Sequence, residues 1–190
     1  MDSRTFTVQQ IYQDRRQYRV PFYQRPYVWN RDDQWGRLWE DIRDKAEARI
    51  QDNKPVPHFM GAVVLEPQKK LGLLGVERHH IIDGQQRLTT MQYVLTALCH
   101  VLREAGQTAL LSVVDACLNN PNPETMEDRE VERFKRWPTF RDRQQFVSAM
   151  TAANYEQLQE RFAFSFTRLG LPRNISSDYP PSLEPICSFI

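Results

Sequence analysis

Cysteine is scarce and unpaired in this sequence. The three, Cys99, Cys117 and Cys187, are odd in number and widely spaced, with no C-x-x-C pair. That pattern argues against a disulfide framework or a zinc site and for buried thiols in a reducing compartment. Long apolar runs are missing as well. No window approaches the roughly 20 apolar residues that span a bilayer, and the start, Met1-Asp2-Ser3-Arg4, has no apolar signal core. A cytoplasmic protein with no membrane partner is expected. The formal net charge is only +1, which removes bulk positive charge as a reason to bind nucleic acid, although local patches stay open. There is no G-x-x-x-x-G-K-[ST] phosphate loop, no Ser-His-Asp or Cys-His arrangement, no internal repeat and no low-complexity tract. His58, His79, His80 and His100 form neither a metal-spaced pair with cysteine nor a His-Asn-His nuclease motif.

What the chain does contain is enough apolar material for a core: 41% hydrophobic and 11% aromatic residues over 190 positions. Thr5 to Gln13 reads as a strand or turn leading into a helical turn. Arg19-Val20-Pro21-Phe22 is extended, since residues before proline avoid the helical region. Asn30 is a good helix cap with Asp32 and Asp33 behind it. Trp35, Leu38, Trp39, Ile42, Ala46 and Ile50 then recur at helical spacing. Phe59 to Leu65 reads as a buried strand, Gln68 to Gly75 as a hairpin turn or loop, and Val76 to Ile82 as a second strand. Helical periodicity returns with Leu88, Met91, Val94, Leu95, Leu98, Val101 and Leu102, ending near Gly106. Beyond Gln107 the pattern is mainly helical. Val131 to Pro138 is extended and cationic, and its Arg133, Lys135 and Arg136 read either as a solvated surface cluster or as a DNA contact. The tail from Ser176 stops without a capped helix or a paired strand, which suggests an incomplete final region. The fold class expected is α+β, with a first domain over residues 1–106 and a helical region over 107–190.

The most informative stretch is His79-His80-Ile81-Ile82-Asp83-Gly84-Gln85-Gln86-Arg87-Leu88-Thr89-Thr90. A strand that breaks at Asp-Gly into a helix leaves free N–H groups and the positive helix end facing one point, which suits a phosphate. Asp83 adds a magnesium ligand or base, and Arg87 a forked cation for two-point phosphate contact. A plainer reading fits the same residues: Asp-Gly is a common turn dipeptide, and Asp83 would then only cap the helix. His79 and His80, adjacent in a strand, point to opposite faces, so at most one of them lines such a site.

Four segments together resemble a known family. Val20-Pro21-Phe22-Tyr23-Gln24-Arg25-Pro26-Tyr27-Val28-Trp29, then Trp39-Glu40-Asp41-Ile42, then His58-Phe59-Met60-Gly61-Ala62-Val63-Val64, then Ile82 to Thr90 are similar in order and spacing to the amino-terminal domain of the GmrSD-type proteins. These are modification-dependent restriction and phage-defence proteins, and SspE-like effectors are related. The resemblance covers about residues 8 to 105 strongly, with a weaker feature at Trp137-Pro138-Thr139 and Arg141-Asp142-Arg143. It implies a ParB/sulfiredoxin-like fold with a mixed sheet and flanking helices, a nucleoside triphosphate and magnesium as cofactors, and an HNH-type nuclease domain or subunit as partner, through which DNA is engaged.

The family's signature falls on Asp83, Gly84, Gln85, Gln86 and Arg87, and its upstream Tyr-Gln-Arg on Tyr23, Gln24 and Arg25. The resemblance implies that the two segments face each other across a nucleotide pocket that also includes Leu88, Thr89 and Thr90. In that picture Gly84 admits the phosphates, Arg25 and Arg87 neutralise charge, and Thr89 or Thr90 donates to a phosphate oxygen. Asp83 holds magnesium, and Gln85 or Gln86 orients the attacking water. The function so implied is a nucleoside triphosphatase module of a restriction protein. A nucleotide- or DNA-binding switch without turnover is the alternative, and an inert remnant a third.

Overall fold

A computed structural model describes residues 3–70 and 72–168 of the chain. The proline-rich tail and Cys187 lie outside the described residues. Helix α1, Val8–Gln13, starts where Thr7 and Gln10 cap each other: Gln10 N donates to Thr7 Oγ1 at 3.2 Å and Thr7 N to Gln10 Oε1 at 2.8 Å. Strand β1 is Arg16–Arg19, after which Pro21 carries the chain out of the sheet. Asn30 caps as its type suggests, its Oδ1 accepting from Asp33 N at 3.1 Å. The turn it caps is a π-helical one, Arg31–Trp35, that runs into α2, Gly36–Ile50.

Strand β2 is Val64–Pro67, later and shorter than the expected Phe59–Leu65. Gly61 has φ +88 and Phe59 is 80% exposed, so the chain straightens only after the glycine. Strand β3, Glu77–Asp83, leads into α3, Gln85–Glu104, and then α4, Thr108–Asp115. The expected extended stretch from Val131 is in part a helical turn, α5, Arg129–Glu132, before β4, Arg136–Trp137. Helices α6, Arg143–Met150, and α7, Tyr155–Arg168, follow.

The fold is α+β, with a mixed sheet in the order β2-β3-β1-β4. Strands β3, β1 and β4 are parallel, with Tyr18 opposite His79 on one side and Arg136 on the other; β2 runs antiparallel to β3. The parallel strands β1 and β3 therefore end at the same edge, and the segments that follow them meet there. Two cores flank α3. One packs Tyr18, Val20, Ile81, Leu88 and Met91 with Leu38 of α2. The other joins Tyr27 and Tyr93 to Phe134, Phe146 and Leu158. Among the described residues, neither sheet nor core breaks at residue 106: β4 and the second core draw on the region beyond it.

The basic stretch before Pro138 is not a solvated cluster. Lys135 and Arg136 are 1% and 0% exposed, and Arg133 alone of the three faces water. Arg136 alternates onto the helix-covered face of the sheet with Tyr18, and its guanidinium sits 5.5 Å from the Phe146 ring centroid. None of its three nitrogens has a hydrogen-bond partner among the described residues. A buried cation without good partners is a net cost, and apolar replacements of similar volume often stabilise by about 1–4 kcal/mol. Arg136→Met is accordingly expected to raise Tm in thermal denaturation. A lowered Tm would show that the guanidinium is well paired.

His79 and His100 are buried, and burial lowers both imidazole pKa values below the ordinary one. The charge of Arg16 adds to this at His79, while the bond to Ala152 O at 3.0 Å opposes it at His100. In the unfolded chain both protonate near pH 6.5, roughly their free value. Below that pH the unfolded state binds protons that the fold refuses, so stability is complete above it and falls as pH drops towards the folded pKa values. Urea midpoints across about pH 7.5 to about 5.5 should show this decline, flattened in a His79→Gln, His100→Gln variant.

Candidate functional site: the turn between β3 and α3

The site begins where β3 stops. Ile82 and Asp83 are exposed at the strand end, and Gly84 turns the chain with φ +92. A Cβ on Gly84 would lie 2.9 Å from Val63 Cγ2, so the turn needs glycine both for its left-handed backbone and for that approach. Helix α3 then runs for 20 residues with no side chain capping its start and no acidic residue in its first turn. Its first N–H groups and the positive end of its dipole face the turn. Directly there, Arg87 Nη2 donates to Asp83 Oδ2 at 3.0 Å. The Asp83 side chain is 65% exposed and that of Arg87 23%.

The segment after β1 is stitched across this turn by side-chain amides. Gln24 Nε2 donates to Ile82 O at 2.9 Å, and Gln85 Nε2 to Arg25 O at 2.7 Å. Gln86 uses both ends of its amide, donating to Pro26 O at 3.0 Å and accepting from Val28 N at 2.9 Å. Tyr27 N donates to Asp142 Oδ2 at 3.0 Å, and the Tyr27 hydroxyl shares a 2.8 Å bond with Thr90 Oγ1. Burial raises the Tyr27 pKa, which keeps that hydroxyl protonated. Tyr23 and Arg25 stay exposed at the rim, Tyr23 edge-on to the Phe22 ring at 5.5 Å.

Residues 8–189 match the family model described as the GmrSD restriction endonuclease, N-terminal domain. The chain belongs to this family. No curated protein matches it. The match runs well past residue 105, through β4, α6 and α7, consistent with the sheet and core drawing on those elements.

Within this GmrSD N-terminal domain the site-candidate residues divide into two sets. Tyr23, Gln24, Arg25, Asp83, Gly84 and Arg87 gather at the rim and turn. Leu88, Thr89 and Thr90 lie beneath it, 4%, 1% and 0% exposed. The threonine hydroxyls donate back to Gln85 O at 2.6 Å and Gln86 O at 3.0 Å. They are placed to hold the first turn of α3 from inside, not to meet a phosphate. Gln85 and Gln86 are likewise buried, and they serve as the clasp between the two segments.

A third segment, Met60 to Val63, expected as part of a buried strand and not as part of the site, packs on the turn through Gly61 and Val63. The signal was a glycine inside an otherwise apolar run, a mark of close backbone approach. Asp142, part of the weaker family feature, anchors Tyr27 N and accepts from Thr139 Oγ1 at 2.8 Å. A cavity lined by Lys70, Gly75, Arg78 and Glu127 lies at the start of β3, at the opposite end of the strand from Asp83. Two of its cations are already engaged, Lys70 Nζ with Gly75 O at 3.1 Å and Arg78 with Glu127 and Glu132.

Among the described residues, no group of three or more His, Cys, Asp or Glu side chains stands ready to hold a metal ion. One exposed carboxylate fits the way magnesium is usually taken, through one or two protein oxygens with phosphates and water completing the shell. No described helix is long and apolar enough to cross a membrane.

Proposed function

We propose that this domain binds a nucleoside triphosphate with magnesium at the β3–α3 turn and hydrolyses it, as the nucleotide-dependent module of a restriction protein. The observation that carries the reading is the Asp83–Arg87 pair, 3.0 Å apart, set across the start of an uncapped 20-residue helix. Arg87, Arg25 and the first N–H groups of α3 would take the phosphates. Asp83 would hold magnesium, which when bound neutralises charge on the phosphates. Gln85, Gln86, Thr89 and Thr90 would position these groups without touching the nucleotide. Cleavage of DNA would fall to an HNH-type nuclease domain or subunit, since no such motif is found in this sequence.

One observation favours a second reading, a nucleotide-set switch without turnover. Both ends of the Gln86 amide are spent on backbone groups, and Gln85 is buried and tethered through its Nε2 to Arg25 O, which ties both side chains to the clasp and away from an attacking water at the turn. The test is phosphate release from each of the four ribonucleoside triphosphates with magnesium, alongside calorimetric binding. Release establishes the hydrolase, binding without release the switch, and absence of both overturns the nucleotide site.

A further inference from the structure

The segment between α2 and β2 meets the site at a point where a side chain is missing. At Gly61 a Cβ would collide with Arg87 Nη1 and lie 3.3 Å from its Cζ and 3.7 Å from its Cδ. The φ of +88 at Gly61 turns the neighbouring Met60 carbonyl to the same guanidinium, which Nη1 meets at 3.5 Å. Arg87 thus lies in a slot: backbone of residues 60 and 61 on one side, the Asp83 carboxylate on the other. An ion pair with a partner as exposed as Asp83 holds its geometry loosely. The slot supplies the missing constraint and keeps most of the Arg87 side chain out of water.

We propose that Gly61 is a positioning residue: the space left by its absent Cβ seats the Arg87 guanidinium on Asp83 and so fixes how the turn meets a phosphate. Two of the five N–H donors of Arg87 are used by Met60 and Asp83. The remaining three make no hydrogen bond among the described residues, and would be the ones to meet an anion. The seat is a property of the protein alone; its consequence for phosphate rests on the triphosphate reading above.

The experiment is a pair of double-mutant cycles. In urea unfolding, Gly61→Ala is expected to lower the midpoint more in the parent than in an Arg87→Ala background. Only the left-handed backbone cost remains once the arginine is gone. In calorimetry with magnesium and ATP or GTP, Gly61→Ala should raise Kd about tenfold in the parent, a coupling typical of contacting residues. It should have no such effect in an Arg87→Lys background, which keeps the charge without the fork. Gly61→Asn tolerates a left-handed backbone better while adding the same Cβ, so it should reproduce the Kd shift with a smaller midpoint change. Equal Gly61→Ala effects in both backgrounds would overturn the proposal and leave Gly61 a backbone requirement only. If the parent binds neither triphosphate, the nucleotide reading fails and the urea cycle alone decides whether the seat exists.

Discussion

Asp83→Asn and Arg87→Ala are each expected to lower triphosphate turnover by about 10²- to 10³-fold, the usual loss when one charge-stabilising group is removed from a reacting centre. For Asp83→Asn the fold should hardly notice, whereas Arg87→Ala also strips packing from a side chain that is only 23% exposed and should cost more stability. Asp83 is 65% exposed, and an ion pair of that kind contributes about 0–1 kcal/mol. Favourable charge near a helix N-terminus adds about 0.3–1 kcal/mol more. The contrast decides between site and cap: a residue that merely closes a turn would lose stability and activity in proportion. Phosphate release and urea midpoints measured on the same preparations make the comparison. A variant with parental turnover would reduce Asp83 or Arg87 to a turn residue.

The second large effect is structural. Glu132 is fully buried; its Oε1 accepts from Arg78 Nη2 at 2.6 Å and its Oε2 from Glu127 N at 3.0 Å. Breaking a buried charge pair on one side typically costs about 3–5 kcal/mol, because the partner is left uncompensated. Arg78 keeps Glu127 at 2.8 Å and is a third exposed, so Glu132→Ala should fall near the lower end, about 3 kcal/mol. For a chain of this length that lowers Tm by about 6–12 °C. Glu132→Gln keeps the shape and one acceptor and should cost less. Thermal denaturation of both variants checks the order as well as the size.

The turn itself was legible because its signals are local. Asp-Gly after a β-branched pair marks the end of a strand, and the apolar period from Leu88 marks the helix that follows. The sides of α3 were not legible in the same way. Leu98 and Val101, on the expected apolar face, are 40% and 45% exposed, while Gln85, Gln86, Thr89, Thr90, Gln92, Thr96 and His100 are buried. The helix lies between the sheet and the later helices, so its polar side is covered by residues 25 or more positions away, Cys117, Met150 and Ala152 among them. Local periodicity reports one buried face; a helix wrapped on both sides hides the second behind polar residues that bond chiefly to backbone carbonyls.

The same limit explains the basic stretch. Charge runs usually mean solvent, and nothing local distinguishes Arg136 from Arg133. Arg133 closes the exposed end of α5, whereas Arg136 opens a two-residue strand that is buried because it pairs with β1. The apolar run from Phe59 misled for a related reason: Gly61 and the unpaired residues around it belong to the wall of the site, and only Val64 onwards finds a strand to pair with.

The placing of β4 has a bearing on how the chain is born. Tyr18 N donates to Lys135 O at 2.8 Å and Val20 N to Trp137 O at 2.9 Å, so the outer side of β1 is closed by residues synthesised more than a hundred positions later. A nascent chain ending near residue 106 would hold β1 beside β3 with its other margin bare, a row of unpaired amides ready to recruit any passing strand. The sheet is therefore sealed late in translation, by a two-residue strand, and a ribosome that stalls before it releases a sticky three-stranded sheet in place of a smaller, tidy domain.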